Sequence, residues 1–377
     1  MKRIGRPRIR RWSTERLIRL ALAHGTSNRG WDAVAQLHRR GSPATLARVE
    51  ALMRSPGVRQ RALALDIAAQ LRVAPHGGAD GGEPYALEAA QAMLVAALAD
   101  PRPCVLQSAI AGLGHQPVAG TLAALLGFVD HPDVRVRWAL THTLAEYPEP
   151  EAVAALLRLS SDRDDAVRDW ATFSLGTLSD ADDEAVRARL WANAHDPNRD
   201  VRGEAVVGLA RRSDPRAVDL LRERLVDGDC RVYELEAAEE MPRAELLGPL
   251  QALHADAERT RRLEPYWYRK LLDALDACAT VGRRAALSRA APHSASSSSV
   301  TSASARCGGA SGSVSSPRKP PLWCAHRRAY RPPLASSERW SPSSTMRPLS
   351  STTRRSMAAM VDSRCAMAIT VLPCIRL

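Results

Sequence analysis

Aromatic side chains are scarce in this chain. Only 4% of its 377 residues are aromatic, and two are Phe. A core made from it is filled with Leu, Val and Ala, whose small cross-sections let helices approach closely. No segment alternates polar and apolar residues for any length, so no strand is expected. Seven cysteines occur and none forms a Cys-x-x-Cys pair, which argues against a zinc ribbon or dithiol redox motif. Cys104, Cys230 and Cys278 read as small buried apolar residues; Cys307, Cys324, Cys365 and Cys374 lie near the C-terminus. The apolar run from Leu17 to Ala23 is interrupted by Arg19 and is too short for a signal-peptide core or a membrane span. The expectation is a cytoplasmic protein without a membrane partner. Also missing are the nucleophile elbow, the zincin His-Glu-x-x-His, a dinucleotide-binding glycine run and a calcium loop. No catalytic, metal-binding or cofactor-binding residue is nominated, and the reading is non-enzymatic.

What the chain does have is a phrase repeated down its middle. Val105, Val136, Val167 and Val201 each open a copy, at intervals of 31, 31 and 34 residues. Apolar or small residues fill the first, fifth and ninth places, as in Val167, Ala171 and Leu175, a spacing that keeps them on one helical face. A second apolar-periodic stretch follows each copy: Val118 to Leu126, Ala152 to Leu159, Ala185 to Trp191, Ala217 to Leu225. Turn signals separate the two, among them Tyr147-Pro148-Glu149-Pro150 and Ser213-Asp214-Pro215. Asp214-Pro215 and Asp196-Pro197 are expected to start helices, Asp accepting an orphan N–H and Pro fitting the first helical position. The unit is helix, turn, helix, and units this small must stack to bury their apolar faces.

The pattern Asp-x-x-Val-Arg-x-x-Ala-x-x-x-Leu-Gly, read from Asp164 to Gly176 and again from Asp200 with Ala217-Val218-Asp219-Leu220-Leu221, resembles HEAT repeats. It is closest to the bacterial type seen in phycobilin lyase subunits, with weaker copies from Gly57 to Leu71 and from Cys230 to Met241. The resemblance covers roughly residues 30–280. It implies an all-α fold, a right-handed α-solenoid of about six helical pairs. It also implies that Arg59, Arg137, Arg168 and Arg202 form a ladder with aspartates near adjacent turns, Asp133, Asp165 and Asp200 being the natural partners. The register between Trp138-Ala139 and Trp170-Ala171 stays open.

Charge divides the chain. The formal net charge is +12, yet residues 21–287 carry 32 basic and 38 acidic residues. The positive excess sits at the ends. Residues 1–12 read as a basic arm, 13–287 as the solenoid with a flexible loop at 75–84, and 288–377 as a Ser-, Arg- and Pro-rich tail. That tail is either disordered or an out-of-frame translation. The acidic groups at Asp162, Asp164, Asp165 and Asp180, Asp182, Asp183, Glu184 precede helices, where they complement the dipole.

Candidate partner-binding residues follow from the implied concave face: Arg158, Arg187, Arg189, Trp191, Arg222 and Arg224. Trp191 beside arginines is either an anchor or part of a solvated face. Tyr266, Trp267 and Tyr268 either cap the array's end or meet a partner, while Trp138 and Trp170 read as core. Arg3, Arg6, Arg8, Arg10 and Arg11 are a possible nucleic-acid contact, with Gly5-Arg6-Pro7 resembling part of an AT-hook. The leading expectation is a scaffold or adaptor for a protein partner. A nucleic-acid-binding protein, including one resembling alkylated-base glycosylases, is the alternative; it requires aromatic and acidic residues gathered on the concave face. An accessory of a bilin-lyase-like enzyme is the third reading.

Overall fold

Small side chains at regular intervals let the helices lie close, and capping residues decide where each begins. The structure, a computed structural model, describes residues 9–73, 82–226, 230–256 and 265–290. Residues 1–8, most of the 75–84 loop and the tail beyond 290 lie outside the described residues. The fold is all-α. Sixteen α-helices occur among the described residues, joined by short 3-10 turns, and the sole extended pairing there is one bridge between Arg72 and Pro84. Contacts divide the chain into two units, with the boundary between Arg189 and Leu190.

Unit 1 contains α1 (Thr14–His24), α2 (Asn28–His38), α3 (Pro43–Met53), α4 (Val58–Ala68), α5 (Leu87–Ala96), α6 (Pro103–His115), α7 (Leu122–Leu126), α8 (Val134–Thr143), α9 (Pro150–Leu159) and α10 (Asp165–Phe173). The boundary falls inside α11 (Glu184–Asn193). Unit 2 continues with α12 (Arg199–Arg211), α13 (Arg216–Val226), α14 (Val232–Glu240), α15 (Leu247–Ala255) and α16 (Pro265–Ala290). Ser13, Ser27 and Ser42 cap α1, α2 and α3 through their side chains, and Asp133, Asp164 and Asn198 cap α8, α10 and α12. The expected start at Asp196-Pro197 is corrected: α12 begins at Arg199 behind Asn198, and Asp196 instead accepts the Asn198 N–H in the turn before it. Asp214-Pro215 does open α13, with Asp214 accepting the Arg216 N–H.

Within unit 1, α4, α6, α8 and α10 pack successively into one layer, which we call the valine layer; α3, α5 and α9 pack against its other side. The first, fifth and ninth places form the spine. Val105, Ala109 and Leu113, then Val136, Leu140 and Leu144, then Val167, Ala171 and Leu175 are all fully buried. This resolves the open register at 136–144 without a slip. Each buried Leu or Val contributes about 1.5–3 kcal/mol. Close approach is enforced at Gly112, where an added Cβ would collide with Leu94. The companion to α6 is the five-residue α7, shorter than its periodicity promised because Pro117 and Gly120 (φ +82°) hold the chain in a turn first. After Phe173 the helix widens to a π turn over Ser174–Leu178 and still buries Leu175.

In unit 2, α12 packs on α14 and α14 on α16, while α13 meets α15. Val201, Ala205 and Leu209 repeat the buried triad. Gly203 lets the Tyr233 ring lie against α12.

Candidate functional site

The arginines of the repeat are structural. Arg137 donates to the carbonyls of His131 and Pro132, six and five residues upstream, and forms a two-pronged pair with Asp162 at 2.7 and 3.0 Å. Arg168 clasps the carbonyls of Asp162 and Arg163, and Arg202 those of Asp196 and Pro197. The member of this series on α4 is Arg61, not the expected Arg59: it clasps Ser55 and Pro56 and pairs with Asp100. The expected partners also need correction. Asp133 pairs with Arg135, whereas Arg137 reaches Asp162 in the following turn; Asp165 does pair with Arg168, and Asp200 lies near Arg231. Burial pushes the Asp162 carboxyl up, but Arg137 and the Asp164 N–H outweigh it and hold it below the usual carboxylate range. On α6, Leu106 replaces the arginine, and in the next turn His131 replaces the aspartate. His131 keeps the turn role, accepting the Asp133 N–H as Asp162 accepts that of Asp164.

The nominated arginines are mostly engaged. Arg158 is exposed and pairs with Asp130, Arg187 with Asp182, and Arg222 with Asp219. Arg224 pairs with Glu234 and donates to the Ala194 carbonyl; Arg189 is half-buried. Trp191 is half-buried, with His195 at its edge and the Arg216 guanidinium 5.0 Å over its ring. Trp267 is buried and donates to the Cys230 carbonyl, Tyr266 donates to Glu236, and Tyr268 stacks on His254. Arg10 and Arg11 are exposed, and Arg3, Arg6 and Arg8 lie outside the described residues.

Two groups on unit 1 were not nominated. The first is aromatic. Trp138 and His142 on α8 meet Trp170 on α10 at 5.7 and 6.1 Å between centroids, and Phe173 continues the edge-to-face series. Trp170, His142 and Phe173 are half-buried rather than sealed. Neither ring nitrogen of His142 has a hydrogen-bond partner among the described residues, and burial lowers its pKa to about 4. The nearby Ser174 and Thr177 hydroxyls, in the π turn, are likewise unpartnered there, and such turns recur at functional sites.

The second group surrounds a cavity of about 20 Å³ bordered by α2, α4 and α6. Trp31, His38 and Ser108 are buried, while Asp66, Gln70 and His115 are partly exposed. The His38 Nε2–H donates to the Asp66 carbonyl at 2.9 Å, and Gln70 bonds the His115 ring at 3.0 Å. Burial pushes the Asp66 carboxyl up to about 7, opposed by a bond from Ser108. Burial lowers His38 to about 4 and His115 well below its ordinary value, the neighbouring His142 and Arg72 adding to the effect on His115. The set combines a carboxyl that ionises near neutrality with imidazoles that remain neutral, a combination enriched at functional sites.

Stacked helical pairs with a repeated buried triad and arginine-clasped turns define an α-helical repeat protein. The particular repeat is HEAT: a HEAT-repeat family model matches residues 91–176 and 159–241. The crystal structure of YibA from Escherichia coli aligns with a TM-score of 0.53 at 18% identity, covering 74% of this chain and 99% of YibA. An engineered protein aligns at 0.41 with 17% identity over 71% of this chain and 78% of its own. Human deoxyhypusine hydroxylase, in complex with glycerol, aligns at 0.29 with 18% identity over 71% and 97%. No curated protein matches the sequence. No described helix is long and apolar enough to cross a membrane.

Proposed function

We propose that the protein is a non-catalytic, cytoplasmic scaffold whose protein partner docks on the valine layer of unit 1. The observation that carries this reading is the half-buried series His142, Trp170 and Phe173 packed on buried Trp138, with His142 nitrogens that lack hydrogen-bond partners among the described residues. Incompletely covered aromatics beside unmet polar atoms are what a binding anchor presents before its partner arrives. The mildly acidic body, 38 acidic against 32 basic residues over 21–287, favours a basic partner segment. The arginines nominated from sequence make a poorer surface, since most are neutralised by neighbouring carboxylates.

A nucleic-acid partner is the second reading. It is favoured by the exposed Arg10 and Arg11 and by aromatic and acidic residues gathered on one layer. Affinity capture with the full chain and its Trp170→Ala variant separates the two. A partner lost from the variant and retained after nuclease treatment supports protein docking. Release by nuclease, or equal retention by the variant, overturns it. A steep fall of affinity with salt would accompany the nucleic-acid outcome.

A further inference from the structure

The turns that lead into α8 and α10 border a groove of about 380 Å³. That size falls in the range of sites that take small ligands, about 300–1,000 Å³. Most of its polar groups are spent. Arg137 donates to both Asp162 oxygens and to the His131 and Pro132 carbonyls, and Asp162 takes the Asp164 N–H as well. The Arg158 and Leu159 carbonyls accept the Ser161 and Asp162 N–H groups, and those of Asp162 and Arg163 accept Arg168. Two donors stay uncommitted among the described residues. His131 takes the Asp133 N–H at Nδ1, so its neutral ring carries the proton on Nε2, and that N–H meets no acceptor there. The exposed Arg163 guanidinium bears on Asp162 through charge alone, without a hydrogen bond or ion pair.

A departure from the repeat creates this surplus of donors. Asp100 and Asp162 each hold an arginine of the preceding first helix, Arg61 and Arg137. His131 stands where the next such aspartate belongs, and Leu106 where its arginine belongs. A carboxylate at 131 would repel an anion, whereas an imidazole N–H attracts one. Asp130 also lines the groove, but its pair with Arg158 is well exposed on both sides and contributes little. Arg158 can exchange Asp130 for another acceptor at small cost, Asp130 returning to water. Arg137 cancels Asp162 and Arg158 cancels Asp130, so the charge of Arg163 is left over. We propose that this groove binds a phosphate monoester. The phosphoryl group carries close to two negative charges at neutral pH and three acceptor oxygens. Arg163 and the released Arg158 meet it from the end of α9 and the turn beyond, and His131 from the turn before α8. Arginine grips phosphate in two-pronged fashion; a carboxylate, with one charge and two oxygens, uses the set less fully. Buried Val129 and Leu159 supply apolar lining for the ester carbon. An extended polyanion is disfavoured, because residues 21–287 hold 38 acidic against 32 basic residues.

The site uses none of the residues that carry the docking reading above, so the two ideas fail separately. Phenyl phosphate is the probe, titrated into full-length protein labelled with ¹³C at histidine, the His131 ring signal being assigned with His131→Gln. A saturable shift of that signal is expected. Arg163→Ala and Arg158→Ala should each weaken binding by about tenfold, one charge-assisted contact being lost in each. Asp130→Asn should strengthen it, because Arg158 is then free from the start. Benzoate should bind more weakly than phenyl phosphate at equal ionic strength. All three substitutions fall on exposed side chains, and circular dichroism identifies each variant as folded. A non-saturable response, an unchanged affinity in folded Arg163→Ala, or an equal affinity for benzoate overturns the proposal. So does displacement of phenyl phosphate by a single-stranded oligonucleotide with a steep salt dependence, which would assign the groove to nucleic acid. A phosphoserine peptide library distinguishes the sources of the ester. Peptides that outbind phenyl phosphate, and fail to bind once dephosphorylated, place it on a protein; a library no tighter than phenyl phosphate places it on a small molecule.

Discussion

The two units use the same helical unit to opposite ends. In unit 2 the polar side chains around the last helix are closed off: Tyr266 bonds Glu236, Lys270 bonds Glu239 at 2.6 Å, and buried Trp267 bonds the Cys230 carbonyl. Unit 1 buries its spine equally well, yet it leaves Trp31 on α2, His142 on α8, and Ser174 and Thr177 in the π turn after α10 without hydrogen-bond partners among the described residues. Each orphaned neutral group costs about 1–3 kcal/mol. Polar atoms are satisfied around the last helix of unit 2 and left unmet at these places in unit 1, and the docking proposal rests on that contrast.

The strongest challenge to this contrast concerns the ladder. Arg137 and Asp162 are 6% and 10% exposed, so Arg137→Ala should strand a buried carboxylate and lose about 3–5 kcal/mol in urea unfolding. A loss below 1 kcal/mol would show that the clasp is ornamental. Next, Leu144→Ala in unit 1 and Leu209→Ala in unit 2 should each lose about 2–5 kcal/mol, because both side chains are fully buried. Were unit 2 much less sensitive, the claim of equally good spines would fall.

Asp66→Asn should have the reverse sign and stabilise the protein at pH 8 by on the order of 2 kcal/mol. With its carboxyl pushed up to about 7 from 3.8, the folded state holds a proton that the unfolded chain releases. Stability therefore falls as pH rises through that window, and the penalty is complete above it. The advantage of the variant should vanish near pH 4. His142→Leu probes the opposite limb. A histidine lowered from 6.5 to about 4 gives stability that is complete above pH 6.5 and lost as pH falls toward 4. Removing it should flatten the acid side of the stability profile while leaving neutral pH little changed. The smallest effect belongs to Arg158→Ala: its pair with Asp130 is 66% and 64% exposed, and less than about 1 kcal/mol should be lost.

The architecture was legible because burial repeats: Val, Ala or Leu at every fourth place names a helix face wherever it occurs. The ladder was half legible. Valine is a poor ruler for it, since Val58 precedes both Arg59 and Arg61, and only the distance to the turn separates them. Aligning on the turn instead places Pro56, Pro132 and Pro197 five residues before Arg61, Arg137 and Arg202, a signal present in the sequence. The cavity had no such signal. His38, Asp66, Gln70, Ser108 and His115 come from three helices, share no single repeat position and are ordinary residues for helix surfaces. Only packing turns them toward one point.

Leu106 and His131 give the stack one joint without a charged clasp. Directional hydrogen bonds resist sliding, whereas methyl surfaces in contact slip past one another with little change in energy. At the turn before α8 no charged clasp backs the apolar contacts, and the coupling of α6 to α8 is left to those contacts and to the Thr143 hydroxyl, which donates to the Ile110 carbonyl at 2.9 Å. The aromatic series begins on the far side of that joint and the cavity lies on the near side, so any movement there would alter the distance between the two.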